Sequence, residues 1–149
     1  MRPINLVCAV LLAMPAALAA EDSGEFSSFS LCQPAYVEVG DTTAGPSRCD
    51  VEIVDQADRP FEVGNKGTAL GQTWIRDGDI VALAELTLPN GTLYVLSRRT
   101  ESSGTHDMIG IDGAYRGLKI ECDYDAAASD ANEGWIEIHS RCRFKRPGP

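Results

Sequence analysis

The stretch ALGQTWIRDGDIVALAELTLPNGTLYVLSRR, Ala69–Arg99, decides the reading of the fold. Three runs rich in aliphatic, β-branched and aromatic residues are separated by Asp77-Gly78 and by Pro89-Asn90-Gly91. Asp-Gly between two such runs signals a two-residue hairpin, because a type I′ turn needs positive φ at both central positions. The second turn reads differently because of its proline. In a two-residue Asn-Gly turn, Pro89 would take a ladder position whose N–H should pair with Thr92, and proline has no N–H. A type I turn opened by Pro89, with Gly91 as the left-handed residue of a bulge, avoids that loss. It sets Leu88 opposite Thr92 and Leu86 opposite Tyr94. Both faces of residues 80–88 are largely apolar, as expected of a central strand covered on both sides.

Working outward, earlier strand candidates are Ala35–Val39, Asp50–Val54 and Pro60–Val63, separated by turn-forming residues. Later ones are His106–Ile111, then Ala114–Tyr124 after an Asp112-Gly113 turn, and Trp135–Phe144. In the last run Ile136 and Ile138 share one face, with Glu137 and His139 on the other. No stretch carries a convincing amphipathic-helix pattern. The expected fold class is all-β: a small antiparallel sandwich or barrel built from meander hairpins and stapled by two disulfides.

The first residues, MRPINLVCAVLLAMPAALAA, show one basic residue, an apolar run and a small-residue end, the pattern of a cleaved secretory signal. The run is too short for a membrane span, which needs about 20 apolar residues. Residues 1–20 are therefore expected to be removed, residues 21–30 to form a flexible leader, and residues 31–146 to form a single all-β domain. The leader reading rests on SGEFSSFS, Ser23–Ser30, which is short, polar and serine-rich. The expected location is secreted or periplasmic.

Beyond residue 20 the cysteines are Cys32, Cys49, Cys122 and Cys142. An even set in an exported chain reads as two disulfides. Pairing by nearness favours Cys32–Cys49 with Cys122–Cys142; the alternative, Cys32–Cys142 with Cys49–Cys122, stays open at this point. Either pattern removes free thiols, and with them thiolate nucleophiles and thiolate metal ligands.

The formal charge is −9, and −10 once Arg2 is lost with the signal. That balance speaks against nucleic acid and anionic membranes as partners. It permits steering toward a cationic protein. Residues 21–85 hold 13 acidic and 4 basic side chains, whereas residues 86–149 hold 9 and 8.

Candidate sites come from three segments. The run Ile120–Cys142 carries six carboxylates, and Asp123, Asp125 and Asp130 are its calcium candidates. Their spacing fails the EF-hand pattern: counted from Asp123, the required glycine position holds Ala128 and the twelfth holds Gly134. A solvated acidic hairpin loop is the alternative. Zinc would need His139, Glu137 and the distant His106 to converge. Glu101–Asp107 (ESSGTHD) gathers hydroxyls, His106 and a carboxylate, but neighbours on a strand point to opposite faces, so adjacency does not make a triad. Gly64-Asn65-Lys66-Gly67 lacks a full phosphate-loop pattern. Asn90-Gly91-Thr92 is a formal glycosylation acceptor that reads here as a turn.

No catalytic or cofactor-binding residue is assigned. The expected function is that of an exported non-enzymatic binding module, an inhibitor of a cationic protein such as a lysozyme-like hydrolase. The alternatives are a calcium-stabilised extracellular adhesion domain and a small secreted hydrolase.

Overall fold

The computed structural model describes residues 23–148, so the signal-peptide reading of residues 1–20 lies outside the described residues. Nine strands follow in order: β1 (Ser23–Pro34), β2 (Val37–Val39), β3 (Thr42–Ala57), β4 (Lys66–Arg76), β5 (Asp79–Leu88), β6 (Gly91–Thr100), β7 (Ser103–Gly110), β8 (Lys119–Ala128) and β9 (Ile136–Lys145). A 3-10 turn, Gly113–Tyr115, sits between β7 and β8. From β3 to β9 each strand pairs antiparallel with the next, as a meander. Strand β1 then pairs with β9 on one side and with β3 on the other, closing eight strands into a barrel. Strand β2 is an extra strip on β3. Of the two architectures expected, the barrel is the one formed.

The serine-rich stretch read as a leader is the strand that closes this barrel. Its alternation explains why: Phe26, Ser28, Ser30 and Cys32 are buried, while their neighbours face outward. A period-2 pattern carried by serines is weak in hydropathy but complete in register. Where β1 passes Asp55 and Gln56 the β3 register shifts, Phe26 opposing Ala57 and Ser27 opposing Val54. Asp55 takes positive φ there, and such a bulge bends the strand around the barrel.

Both disulfides follow the nearer pairing. Cys32 lies directly opposite Cys49 on the β1–β3 seam, and Cys122 opposite Cys142 on β8–β9. Each joins neighbouring strands from inside the barrel, so the sequence nearness of the pairs reflects adjacent strands of one sheet.

The Asp77-Gly78 hairpin forms as expected, with φ of 51° and 86°. The Pro89 turn does not. Leu88 pairs with Gly91 and Leu86 with Leu93, so the loop is the two residues Pro89-Asn90, and no bulge intervenes. Pro89 loses nothing, because it occupies a turn corner and not a ladder position. Gly91, at φ 146°, is held against the β7–β8 connection, where a Cβ would lie 2.5 Å from the Asp112 carbonyl oxygen. The one-residue difference moves Tyr94 outside and Leu93 inside.

Three further expectations are corrected. Strand β5 is not covered on both faces: Leu83 is 52% exposed and, with Leu70, Trp74, Val81, Tyr94 and Ile109, forms an apolar band on the outer wall of β4–β7. Pro60–Val63 is a loop, not a strand. It carries Phe61 into one end of the barrel, stacked 3.9 Å from Phe26 and 4.7 Å from Tyr115, with Phe144 at 5.4 Å. The Asp112-Gly113 segment is likewise no tight hairpin. Residues 111–118 fold over the same end, bringing in Tyr115 and Leu118, with Ala114 N–H donating to Asn90 O. Asn90 also donates from Nδ2 to Pro60 O, so its side chain ties two plug loops together.

Two outcomes test this closure. Deleting residues 21–30, harmless if they were a leader, is expected to abolish cooperative urea unfolding; a deletion that unfolds like the parent would contradict it. Replacing Cys32 and Cys49 together by serine should lower unfolding free energy by about 3 kcal/mol, as for other short cross-linked loops.

Candidate functional site

Above the aromatic plug the barrel is hollow. The reason lies in the inward positions: β5 grades from Leu88 and Leu86 to Ala84 and Ala82, and Gly71 and Ala69 line β4 across from them. Strands β1 and β9 contribute Ser28, Ser30 and Ser140 to the opposite wall. Small side chains facing small side chains leave a cavity of about 110 Å³, reaching from Leu86 and Val51 to a rim at Pro34, Tyr36 and Ile80.

Its polar groups converge from three consecutive strands. Ser97 on β6 is the cross-strand partner of His106 on β7, and Ser97 Oγ lies 2.7 Å from His106 Nδ1. The hydroxyl donates when Nδ1 is the bare nitrogen; in the other tautomer Nδ1–H donates to the hydroxyl. Tyr124 on β8 stacks on the imidazole at 4.1 Å and 10°. It reaches that position over Gly104, its cross-strand partner, where a Cβ would lie 2.7 Å from Tyr124 Cζ. Arg99, opposite both Ile80 and Gly104, completes this end of the wall.

Burial holds His106 neutral, lowering its pKa from 6.5 to about 4, against a smaller upward pull from Asp107. Tyr124 is shifted upward by burial, with Arg99 acting in the opposite sense. At pH 7 the wall therefore presents an uncharged imidazole, a phenol and hydroxyls. The imidazole can take a proton or pass one to Ser97. A full triad is not assembled, because Asp107 points outward and binds Arg98 at 2.9 Å. Strand alternation separates His106 from Asp107, as expected, and of Glu101–Asp107 only His106 enters the cavity.

The remaining sequence candidates lie elsewhere. Asp123 and Asp125 are on the outer face of β8, Asp125 3.6 Å from Arg141. Asp130 is in the β8–β9 loop, which is organised around Ser129: its Oγ donates to Glu137 Oε1 at 2.8 Å and its N–H to Trp135 O. Among the described residues no group of three or more His, Cys, Asp or Glu side chains could hold a metal ion. His139 faces away from the cavity beside Phe29, 4.9 Å between rings, so it and His106 do not converge. Ser97, Arg99, Tyr124 and the serines of β1 went unread in the sequence. The signal that finds them is register: the face shared by Leu93, Val95, Ser97 and Arg99 points inward only when Leu86 opposes Leu93.

No protein-family model matches the chain, and no curated protein matches it by sequence. Solved structures do resemble it in fold. A pterocarpan synthase dirigent protein is 14% identical with a TM-score of 0.59, covering 90% of this chain and 96% of its own. A second pterocarpan synthase dirigent protein is 11% identical with a TM-score of 0.54, covering 87% and 99%. A nonspecific heme-binding cyclase that catalyses a [4 + 2] cycloaddition in neoabyssomicin biosynthesis is 14% identical, with a TM-score of 0.58 over 85% and 68%. A Diels–Alderase from Streptomyces koyangensis is 13% identical, with a TM-score of 0.56 over 89% and 72%.

These likenesses overturn the expected function. The neighbours of this barrel are dirigent proteins and ring-forming enzymes, not inhibitors of cationic proteins or adhesion domains. Net charge was the sole support for the inhibitor, and charge says nothing about an interior cavity. As for location, the two disulfides are consistent with an extracellular protein. Among the described residues no helix is long and apolar enough to cross a membrane.

The buried imidazole has a thermodynamic consequence. Its folded pKa lies below the unfolded value, so the unfolded chain takes up the proton first. The stability tied to neutral His106 is whole above pH 6.5 and is lost as pH falls toward 4. The stability of the parent relative to His106→Gln should drop by about 2–3 kcal/mol between pH 7 and 4.5, read by urea unfolding. Parallel pH profiles would contradict this.

Proposed function

We propose that this chain is an exported barrel protein that binds a small, largely apolar molecule in its interior and orients it for reaction. The observation that carries the reading is the hollow above the aromatic plug, where Ser97, His106 and Tyr124 converge from three consecutive strands and the serines of β1 and β9 add further hydroxyls to the lining. A mostly apolar concavity with a few convergent polar groups is the usual form of a small-molecule site. At about 110 Å³ it is small; a cavity of roughly 150 Å³ accommodates benzene. The hollow is smaller than one ring needs, so a bound ring enters only part-way and the rest of the molecule extends through the rim.

The fold likeness to dirigent proteins and cyclases supports a ring-forming or coupling reaction as the event that is steered. For such chemistry a rigid wall acts chiefly by orientation, which removes entropy from the barrier before reaction begins. His106, neutral at pH 7, is placed to receive or relay a proton through Ser97. Export is supported by the two disulfides together with the signal-like residues 1–20.

Met108 lines this cavity and is the only methionine after residue 20. In residues 21–149 labelled with ¹³C at the methionine methyl, titration with benzyl alcohol should shift the single resonance saturably. Ala84→Phe, which fills the hollow, should remove the response while leaving cooperative unfolding in place. An unmoved Met108 methyl in the parent at millimolar benzyl alcohol would contradict the proposal.

A further inference from the structure

Arg99 is the one Asp, Glu, Lys or Arg side chain among the described residues lining the cavity. It is half-buried on the inward face of β6, one inward position beyond Ser97. No described carboxylate pairs with it, and no described hydrogen bond engages it. Its neighbour Arg98, pointing outward, is by contrast tied to Asp107 at 2.9 Å. A chain with 22 acidic and 13 basic residues thus leaves a guanidinium uncompensated where its cavity opens.

The surroundings of Arg99 are arranged to keep that fork available. Its two cross-strand partners are Ile80, which has no polar atom in its side chain, and Gly104, which has no side chain. Tyr124 fills the space over Gly104 and presents a phenol, not a carboxylate. Beyond it on the same rung come Ser140 and Ser28, also uncharged. A half-buried guanidinium without an internal anion is an open bidentate site for a planar oxyanion.

We propose that Arg99 is the anion-binding subsite of this cavity, and that the barrel takes small aromatic carboxylates with the ring part-way inside and the carboxylate on the guanidinium. This deepens the cavity reading above and rests on it. The net negative charge of the chain repels carboxylates in general, so a preference for them has to arise locally.

The test compares benzoate with benzyl alcohol, the same ring carrying a charged or a neutral head, at pH 7 and low salt by the Met108 methyl shift. Benzoate should bind at least about tenfold more tightly, the scale of one charge-assisted bidentate contact. Arg99→Gln should bring the two ligands level by weakening benzoate far more than benzyl alcohol, and Arg99→Lys should keep part of the preference. In the parent, added salt should narrow the gap, a readout that stands even if a variant fails to fold. Benzyl alcohol binding as tightly as benzoate, or a preference unchanged in folded Arg99→Gln, overturns the subsite while leaving the cavity reading intact. Binding of neither ligand overturns both.

Discussion

Everything in this molecule depends on β1 pairing with two strands at once. Without it, β3 to β9 would be an open twisted meander with two long edges, and such edges invite association with other chains. With it, the sheet meets itself, and its inward face becomes an enclosed volume. The Cys32–Cys49 bridge ties β1 to β3 from within, fixing on one side the strand that pairs with β9 on the other. The Phe26 ring on the same strand stacks on Phe61 and so helps seal one end. One twelve-residue segment thus closes the barrel and supplies one ring of the plug.

Closure alone does not create a site; side-chain volume does. Near the plug the inward residues are Leu, Ile, Phe and Tyr, and the barrel is solid. Toward the rim they become Ala, Gly and Ser, and it is hollow. The Ser28 and Ser30 hydroxyls of β1 face the Ser97–His106 wall across that gap, and Ser140 of β9 stands beside Tyr124. Burial keeps His106 uncharged, and the stacking of Tyr124 fixes its ring plane. Both are properties of a rigid wall suited to holding a guest in one orientation. The charged residues lie mainly outside, where Arg98 with Asp107 and Arg141 with Asp125 form exposed pairs of modest energetic worth.

Much of the architecture was legible in the residues. Asp77-Gly78 marked its hairpin by turn chemistry alone, and the sequence nearness of the cysteines anticipated their pairing. The alternation Ile136, Ile138 against Glu137, His139 placed the faces of β9. What was not legible has specific causes. Serines at alternate positions of β1 carry no hydropathy signal, because they are buried against a cavity and not in a packed core. The Pro89 turn was misjudged by one residue, since a proline at a turn corner needs no N–H. That single step turned the β6 face over and hid Ser97 and Arg99. The acidic run before Cys142 drew notice by charge density, yet its carboxylates face solvent. Function was read from net charge because the features that bear on it, small inward residues and a plug made by two loops, appear only once the sheet is closed.

The central claim is that the closed barrel keeps an accessible, unfilled interior. The most direct measurement is the electron density of a crystal of residues 21–149 pressurised with xenon, which enters dry apolar cavities. A xenon site is expected inside the barrel, bounded by Ala84, Met108 and Ile138. Side chains collapsed into that space, with no xenon within the barrel, would contradict it.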